Sequence, residues 1–462
     1  MNLKFQVIVF GVLALSCSVQ GRLRHFAETK TTNAAGATVV AKTGIEGLKE
    51  KYSIKTDPIK NLKLFVAQSK ESGSHVKLGA NPNHEEAVGI DSVASESWIA
   101  KAGCVDKKTT QPFQANPLGT TTSVKPVYEC KNSCKYVMQD GAKVTKSVAI
   151  HQSSLSGGLS IKGNAVKDSI ILGKITLADA DLIEATEISN GATVHTLGGL
   201  SFGKSATSIP KILKDKKITT KAVWSSYFFR LHDVPSTLNT KSDYNDIGRG
   251  FMTLGEALPI PDKYFEKYNV PSGTTNWILN LAAVTLGAKN LFKDGDFAIF
   301  TTNHQSISVP EVALKDIKAE ILAKGGFTAS DCTADLNNFS CNACKDKAGS
   351  LPTFNFQFGA AQHSWSLKPE DYAFFESADK CQFQLSSSGL ANTWTLGHYF
   401  MKRHYIVFDQ DNSQVSLSTF PEADLQILTG YYANLIWNGA FGLVSGFAKF
   451  FGIVALAFFL LK

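Results

Sequence analysis

Residues 90–99 read IDSVASESWI, an apolar strand that runs into a short polar turn with an acid, Asp91, at its tip. The turn-forming stretch 78–83 (LGANPN) leads into this strand from upstream. In the second half of the chain, residues 298–306 (AIFTTNHQS) repeat the layout of apolar run, small hydroxylated residues and turn. Two such units, one in each half, predict a duplicated protein with two lobes.

The two stretches resemble the paired active-site motifs of the pepsin family of aspartic peptidases. That family carries hydrophobic-hydrophobic-Asp-Thr-Gly once in each lobe, and Trp98 matches the Trp that follows its first copy. In this alignment Asp91 is the first catalytic acid, and Thr301 takes the place of the second. The resemblance implies an all-β, bilobal pepsin-like double β-barrel with a few short helices.

The composition is that of a globular protein with ample core. The chain has 462 residues, of which 44% are hydrophobic and 19% charged. The net charge is +7, but the lysines are scattered and form no basic stripe, so we expect no nucleic-acid partner. We expect no cofactor or metal, and a monomer.

The N-terminal region divides into two segments. Residues 1–21 have a charged start, a short apolar stretch and small residues at the end, which predicts a signal peptide. The apolar stretch is too short to span a bilayer. Residues 22–72 are polar and Lys-rich, with a short helical stretch near residues 45–52. This segment is either a propeptide, as the resemblance implies, or a flexible linker.

The N-terminal lobe is predicted over residues 73–229. Residues 113–123 resemble the loop that precedes the flap of the family, and residues 136–145 would form the flap hairpin with Asp140 and Gly141 at its tip. The alignment puts Met138 where the family has a Tyr that covers the cleft. Tyr136 lies two residues earlier on the same face of the strand and could replace that Tyr.

The C-terminal lobe is predicted over residues 230–420. Residues 310–322 have apolar positions at helical spacing, with Pro310 at the start. Residues 394–400 (WTLGHYF) and 404–409 (HYIVFD) closely resemble the Ile-Leu-Gly-Asp-x-Phe and Tyr-x-Val-Phe-Asp ending of the family. His304 follows the second motif, and we interpret it as a turn residue.

Eight cysteines occur, and Cys17 lies in the predicted leader. The other seven are expected to form disulfides in a secreted chain, with one thiol left over: Cys104, Cys130, Cys134, Cys332, Cys341, Cys344 and Cys381. The resemblance implies a Cys341–Cys381 bridge, with Cys332 and Cys344 as candidates for a second. Asn338 begins the Asn-Phe-Ser acceptor site for a glycan.

The C-terminal segment, residues 421–462, is predicted to direct membrane anchoring. It ends in the apolar run 450–461, which is preceded by three small residues, 438–440, and a spacer that ends at Lys449. This layout favours a lipid (GPI) anchor attached at Asn438. The rival interpretation is a transmembrane helix over 435–461, which would bury Lys449 at a cost of about 2.5–3.5 kcal/mol.

Peptide hydrolysis on this fold needs two carboxylates that share one proton. Thr301 has a hydroxyl that does not titrate near working pH, whereas Ser92 and Thr302 match the hydroxyls that brace the two loops in the family. We therefore predict a secreted, membrane-anchored pepsin-fold protein that has lost peptidase activity and binds an extended peptide or protein in its cleft, at the cell surface or outside the cell. The alternatives are an active endopeptidase with a non-standard dyad and a structural coat protein with a closed cleft.

Overall fold

The structure is a computed structural model. It describes residues 29–32, 38–41, 44–53, 63–68, 73–78, 85–94, 96–106, 110–112, 114, 144–148, 159–172, 175–189, 197–228, 249–302, 306–333, 339–342, 344–360, 363–377, 380–402, 404–421, 423–425 and 427–428. Within these residues no helix is long and apolar enough to cross a membrane.

The chain forms two compact units. Unit 1 comprises residues 1–59, 259–262 and 420–462, and unit 2 comprises residues 60–258 and 263–419. Unit 1 contains the hairpin of strands β1 (Thr29–Thr32) and β2 (Thr38–Ala41) and the helix α1 (Gly44–Tyr52). The helical stretch predicted near residues 45–52 is therefore confirmed.

Unit 2 is built mainly of strands. The strands of its first half are β3 (Lys63–Gln68), β4 (Gly73–Leu78), β5 (Glu85–Asp91), β6 (Trp98–Asp106), β7 (Val144–Val148), β8 (Leu159–Leu172), β9 (Ile175–Ser189), β10 (Gly198–Ser201), β11 (Val223–Phe228) and β12 (Arg249–Leu254). The strands of its second half are β13 (Phe265–Asn269), β14 (Ile278–Leu286), β15 (Lys289–Asn290), β16 (Phe297–Phe300), β17 (Ile307–Val309), β18 (Ser340–Asn342), β19 (Phe354–Phe358), β20 (Trp365–Leu367), β21 (Ala373–Ser377), β22 (Lys380–Phe383), β23 (Leu385–Ser387), β24 (Thr393–Leu396), β25 (Ile406–Asp409) and β26 (Gln414–Ser418).

Helices are few. The α-helices of unit 2 are α2 (Ile209–Asp215), α3 (Glu311–Gly325), α4 (Pro369–Tyr372) and α5 (His398–Met401). Short 3-10 turns cover Asp262–Tyr264, Ala329–Asp331 and Lys345–Ser350. Helix α3 confirms the predicted helix. It begins directly after Pro310 and ends at Gly325, before Gly326, whose φ of 62° lies in the left-handed region that stops a helix.

The strands of unit 2 form three sheets. The largest has the order β13-β26-β25-β11-β12-β3-β4-β5-β10-β6-β9-β8-β7. The second has the order β20-β19-β14-β16-β24-β17-β23, with β15 paired to β14, and the third has the order β18-β22-β21. Strand β3, which lies in the segment predicted as propeptide or linker, is paired on both sides, with β12 and with β4.

The predicted duplication is visible in the strand pairing. In the first half, β10 runs parallel to β5 and antiparallel to β6. In the second half, β24 runs parallel to β16 and antiparallel to β17. Each half therefore inserts a late strand between the two strands that flank its motif loop, and this places Asp91 and Thr301 at equivalent strand ends.

Close packing explains the two glycines of β10. A Cβ on Gly199 would lie 2.6 Å from the indole Nε1 of Trp98, and one on Gly198 would lie 2.5 Å from the Trp98 carbonyl oxygen. Trp98 itself is buried. Only glycine lets β10 approach the strand after the Asp91 loop this closely.

An aromatic core lies directly behind the second motif. The Phe408 ring stacks on Trp224 at 4.0 Å between centroids and lies 5.2 Å from Trp277 and 6.1 Å from Phe300. All four side chains are buried. Because Phe300 immediately precedes Thr301, this packing fixes the end of β16 and hence the start of the second loop.

The predicted Cys341–Cys381 disulfide is wrong. Cys341 bonds Cys332, and Cys381 bonds Cys344. Cys341 lies opposite Cys381 in the pairing of β18 with β22. The backbone of Cys341 also forms an isolated antiparallel β-bridge with Cys332. The suggestion that Cys332 and Cys344 form the second bridge is wrong as well, because each of them bonds a cysteine of the pair predicted first.

The prediction that Cys104 joins a disulfide is also wrong. Cys104 carries a free thiol on the buried face of β6. Burial raises the pKa of this thiol to about 12, which keeps it protonated and unreactive. The side chain serves the core, where cysteine behaves as a small apolar residue.

Candidate functional site

The two motif loops are joined by reciprocal hydrogen bonds. The Ser92 Oγ donates to the Phe300 carbonyl oxygen at 3.0 Å and accepts the Thr302 N–H at 3.0 Å. In return, the Thr302 Oγ1 donates to the Ile90 carbonyl oxygen and accepts the Ser92 N–H at 3.1 Å. All of these groups are buried, so the bonds are shielded from water.

This pairing establishes which residues correspond. Ser92 and Thr302 make equivalent hydrogen bonds, because the side-chain hydroxyl of each accepts the backbone N–H of the other. The residues that precede them, Asp91 and Thr301, are therefore structural equivalents. Each is 1% exposed. The hydrogen-bond register pairs the positions as the alignment does, and the replacement of a catalytic acid by Thr301 stays a prediction.

The carboxylate of Asp91 is held by its own turn. Its Oδ1 accepts the N–H groups of Val93 at 2.9 Å and Ala94 at 2.8 Å. The turn is fastened to β10, because the Phe202 N–H donates to the Asp91 carbonyl oxygen at 2.7 Å and the Ser201 Oγ donates to the Ala94 carbonyl oxygen at 2.6 Å. Val93, which replaces the glycine of the family, is not among the described residues with positive φ. The turn therefore accommodates a β-branched side chain without backbone strain.

The second loop is fastened in a different way. The Thr301 N–H donates to the Leu396 carbonyl oxygen at 3.1 Å. The Nε2 of His398, a buried residue at the start of α5, lies 2.9 Å from the Thr302 carbonyl oxygen. Because a carbonyl oxygen can only accept, Nε2 carries the proton and donates.

Sequence reasoning gave no role to His398. The signal was present, because the family pattern has Asp directly after the Gly that matches Gly397. A carboxylate at this position could not donate to the Thr302 carbonyl oxygen, whereas an imidazole can. The departure from the pattern coincides with a new contact to the loop that carries Thr301.

Two other buried carboxylates of the described residues, Asp296 and Glu184, have partners away from the Asp91 loop. Asp296 accepts the Trp394 indole N–H at 3.0 Å, and it precedes β16, at the opposite end of that strand from the second loop. Glu184 accepts from the Asn164 amide at 3.3 Å. Among the described residues, no group of three or more His, Cys, Asp or Glu side chains could hold a metal ion.

The remaining predicted site residues lie outside the described residues. They are the flap residues Tyr136, Met138, Asp140 and Gly141, the cysteines Cys130 and Cys134, the turn residue His304, the glycan acceptor Asn338 and the anchor residue Asn438. Of the predicted site residues, the structure brings together Asp91, Ser92, Thr301 and Thr302.

Comparison with known proteins agrees with this geometry. The model of the family "eukaryotic aspartyl protease" matches residues 73–420. An acid protease of Saccharomycopsis fibuligera is 23% identical over 358 residues, which cover 74% of this chain and 79% of the relative. Plasmepsin I of Plasmodium falciparum is 25% identical over 365 residues, 73% of this chain and 72% of the relative. Renin of Rattus norvegicus is 21% identical over 353 residues, 73% of this chain and 76% of the relative.

We expect the loop-bracing hydroxyls to contribute strongly to stability. Ser92→Ala and Thr302→Val each leave buried groups without partners, at a cost of about 1–3 kcal/mol for each such group. Urea denaturation of the two variants and of the double variant measures the cost and the coupling between the side chains. The matched controls Ser92→Thr and Thr302→Ser keep the hydroxyl and should retain most of the stability. Equal stability of the Ser92→Ala and Ser92→Thr proteins would contradict the expected role.

Proposed function

This chain belongs to the eukaryotic aspartyl protease family, and from that premise we propose that it is a pepsin-fold protein without peptidase activity that binds extended peptide or protein ligands. The observation that carries the proposal is the equivalence of Thr301 with Asp91 across the reciprocal bonds of Ser92 and Thr302. The loops of a peptidase are kept in register, but one of them presents a hydroxyl in place of a carboxyl.

The chemistry of the family explains why this exchange matters. Two carboxylates about 3 Å apart cannot both ionise, so one acts as base on a bound water while the other donates a proton to the substrate carbonyl. The Thr301 hydroxyl can hydrogen-bond a water but cannot alternate between acid and base at working pH. At the position equivalent to that of Asp91, Thr301 supplies a hydroxyl and not a second carboxyl group. Peptide hydrolysis would therefore lack the second carboxyl group, whereas ligand binding in the cleft would not need that group.

The proposed ligand binding would use the predicted flap and the cleft beside the motif loops. Members of this family hold substrates as extended strands paired to the flap, a mode in which main-chain hydrogen bonds supply affinity. We propose that the ligand lies against the predicted flap, which carries Tyr136 and Met138 and has Asp140 and Gly141 at its predicted tip. Binding in this mode does not need a second carboxylate.

The predicted leader and C-terminal segment place the protein in the secretory pathway. Residues 1–21 would direct export, and the apolar run 450–461 with the small triplet at Asn438 would direct a lipid anchor. The bonded pairs Cys332–Cys341 and Cys344–Cys381 suit an oxidising compartment. We therefore propose a tethered protein at the cell surface.

We predict that the purified protein does not cleave peptides at acid pH. The assay is digestion of a protein substrate between pH 3 and 6, with and without a transition-state inhibitor of aspartic peptidases. Thr301→Asp should bind that inhibitor at least about tenfold more tightly than the wild type, because it supplies the missing half of a site complementary to the transition state. Thr301→Asn, of similar size but without acid chemistry, is the matched control. Inhibitor-sensitive cleavage by the wild type that Asp91→Ala abolishes would show an active peptidase with a non-standard dyad.

We also predict that the wild type binds extended peptides with an affinity that depends on the flap. Fluorescence polarisation with a library of labelled decapeptides identifies ligands. Tyr136→Ala should then weaken binding of the selected peptides at least about fivefold, because an aromatic ring that covers a ligand excludes water from it. Tyr136→Phe keeps the ring and should bind as the wild type does. If no peptide binds, or if Tyr136→Ala binds like the wild type, the cleft is not the ligand site.

The anchor prediction can be tested on intact cells. A phosphatidylinositol-specific phospholipase should release the protein from the surface. The enzyme cleaves the glycolipid, and a lipid-anchored protein is attached to the membrane only through that glycolipid. Asn438→Gln, which places a larger side chain at the attachment site, should reduce surface display, whereas Asn412→Gln in a turn remote in sequence should not. Release by detergent alone would show that residues 435–461 remain as a transmembrane helix.

A further inference from the structure

The helix α1 is joined to the C-terminal segment through one carboxylate. The Lys51 Nζ donates to the Asp424 Oδ2 at 2.9 Å, and the Tyr52 hydroxyl donates to the same oxygen. The Lys51 Nζ also lies 4.8 Å from the centre of the Tyr52 ring. Two donors on consecutive residues of α1 therefore converge on one acceptor.

An apolar contact lies beside this polar one. The Tyr52 ring is 4.6 Å from the Phe420 ring, and Leu48, which is one helical turn before Tyr52, is buried. In the C-terminal segment, Leu425 and Leu428 are also buried. The Leu425 N–H donates to the Pro421 carbonyl oxygen at 2.8 Å, so this stretch begins with a helical turn.

A helix of this length needs such a partner. The nine residues of α1 are too few for a stable isolated helix, because nucleation is costly and few hydrogen bonds follow it. Its stability must come from packing of the face that carries Leu48 and Tyr52. From that face Tyr52 contacts the Phe420 ring and the Asp424 carboxylate.

The chain that follows α1 is held as well. Strand β3 pairs with β12 over Lys63–Leu254 through Gln68–Arg249 and meets β4 at Gln68–Gly73. Removal of β3 would leave a row of backbone donors and acceptors on β12 unpaired. Two elements of the N-terminal segment, α1 and β3, therefore make contacts within the chain: α1 with Asp424, and β3 with β12 and β4.

We propose that residues 420–428 are a docking site for helix α1, and that α1 remains bound there in the mature protein instead of being discarded as a propeptide. The proposal rests on the proposed function in one respect, since a site without its second acid cannot excise the segment that precedes it. A segment bound within its own chain also has a high effective concentration, which keeps it in place even when the individual contacts are modest.

The first experiment identifies the N-terminus of the protein secreted by its own cells, by N-terminal sequencing and intact mass. The expected N-terminus lies upstream of Gly44. Loss of α1 from both the wild type and Asp91→Ala would overturn the docking proposal alone, because another peptidase would then remove the segment. Loss from the wild type but retention in Asp91→Ala would overturn the proposed function as well, because the chain would be cleaving itself.

The second experiment tests docking directly. Residues 55–60 are replaced by the recognition sequence of a site-specific protease, the full chain is cut there, and the products are separated by size-exclusion chromatography. The N-terminal fragment should stay with the body of the wild type. Asp424→Ala should release it, since both donors of α1 lose their acceptor. Asp181→Ala removes a carboxylate from an exposed ion pair with Lys167 and is the matched control, which should not release it.

A milder variant guards against misfolding of Asp424→Ala. Tyr52→Phe keeps the ring contact with Phe420 and removes only the hydroxyl, and it changes the released fragment and not the body. The Tyr52→Phe fragment should dissociate at least about fivefold faster from the cut protein than the wild-type fragment does. Separation of the wild-type fragments on the column would overturn the proposal.

Discussion

The architecture of the site depends on the exchange of hydrogen bonds between Ser92 and Thr302. Each hydroxyl accepts a hydrogen bond from the backbone N–H of the other residue. The Ser92 hydroxyl donates to the Phe300 carbonyl oxygen, and the Thr302 hydroxyl donates to the Ile90 carbonyl oxygen. Because all donors and acceptors are buried, a displaced loop would leave several of them without partners. The bonds therefore hold the two motif loops in one register and make Asp91 and Thr301 equivalents.

The two halves of unit 2 reach this arrangement by the same topology with different chemistry. In the first half the inserted strand β10 needs Gly198 and Gly199 to pass the buried Trp98. In the second half the equivalent strand β24 is followed by His398, which donates to the loop it supports. Close approach of the β10 backbone to Trp98 supports the Asp91 loop, whereas a hydrogen bond from the His398 side chain supports the Thr301 loop.

The sequence predicted most of the fold because the local signals agreed with it. The motif repeats and the apolar spacing of residues 310–322 each specify local structure, and the structure has the expected strands and helix at these places. The disulfide pairing was not predictable, because it depends on which of four neighbouring cysteines the turns bring closest. The departure from the family pattern at His398 was visible in the sequence, but only the folded chain shows that its ring reaches the Thr302 carbonyl oxygen.

The loss of an acid at position 301 is compatible with this scaffold for a physical reason. The bracing bonds use the side chains of Ser92 and Thr302, one residue beyond the equivalent positions, and they do not involve the side chains of Asp91 or Thr301. The Oδ1 of Asp91 accepts hydrogen bonds from the N–H groups of Val93 and Ala94 in its own turn. In a dyad of carboxyl groups the two side chains share one proton, a role that a threonine hydroxyl cannot take. The bracing bonds stay the same whether position 301 carries an acid or a hydroxyl, so the architecture of the loops does not depend on a second acid there.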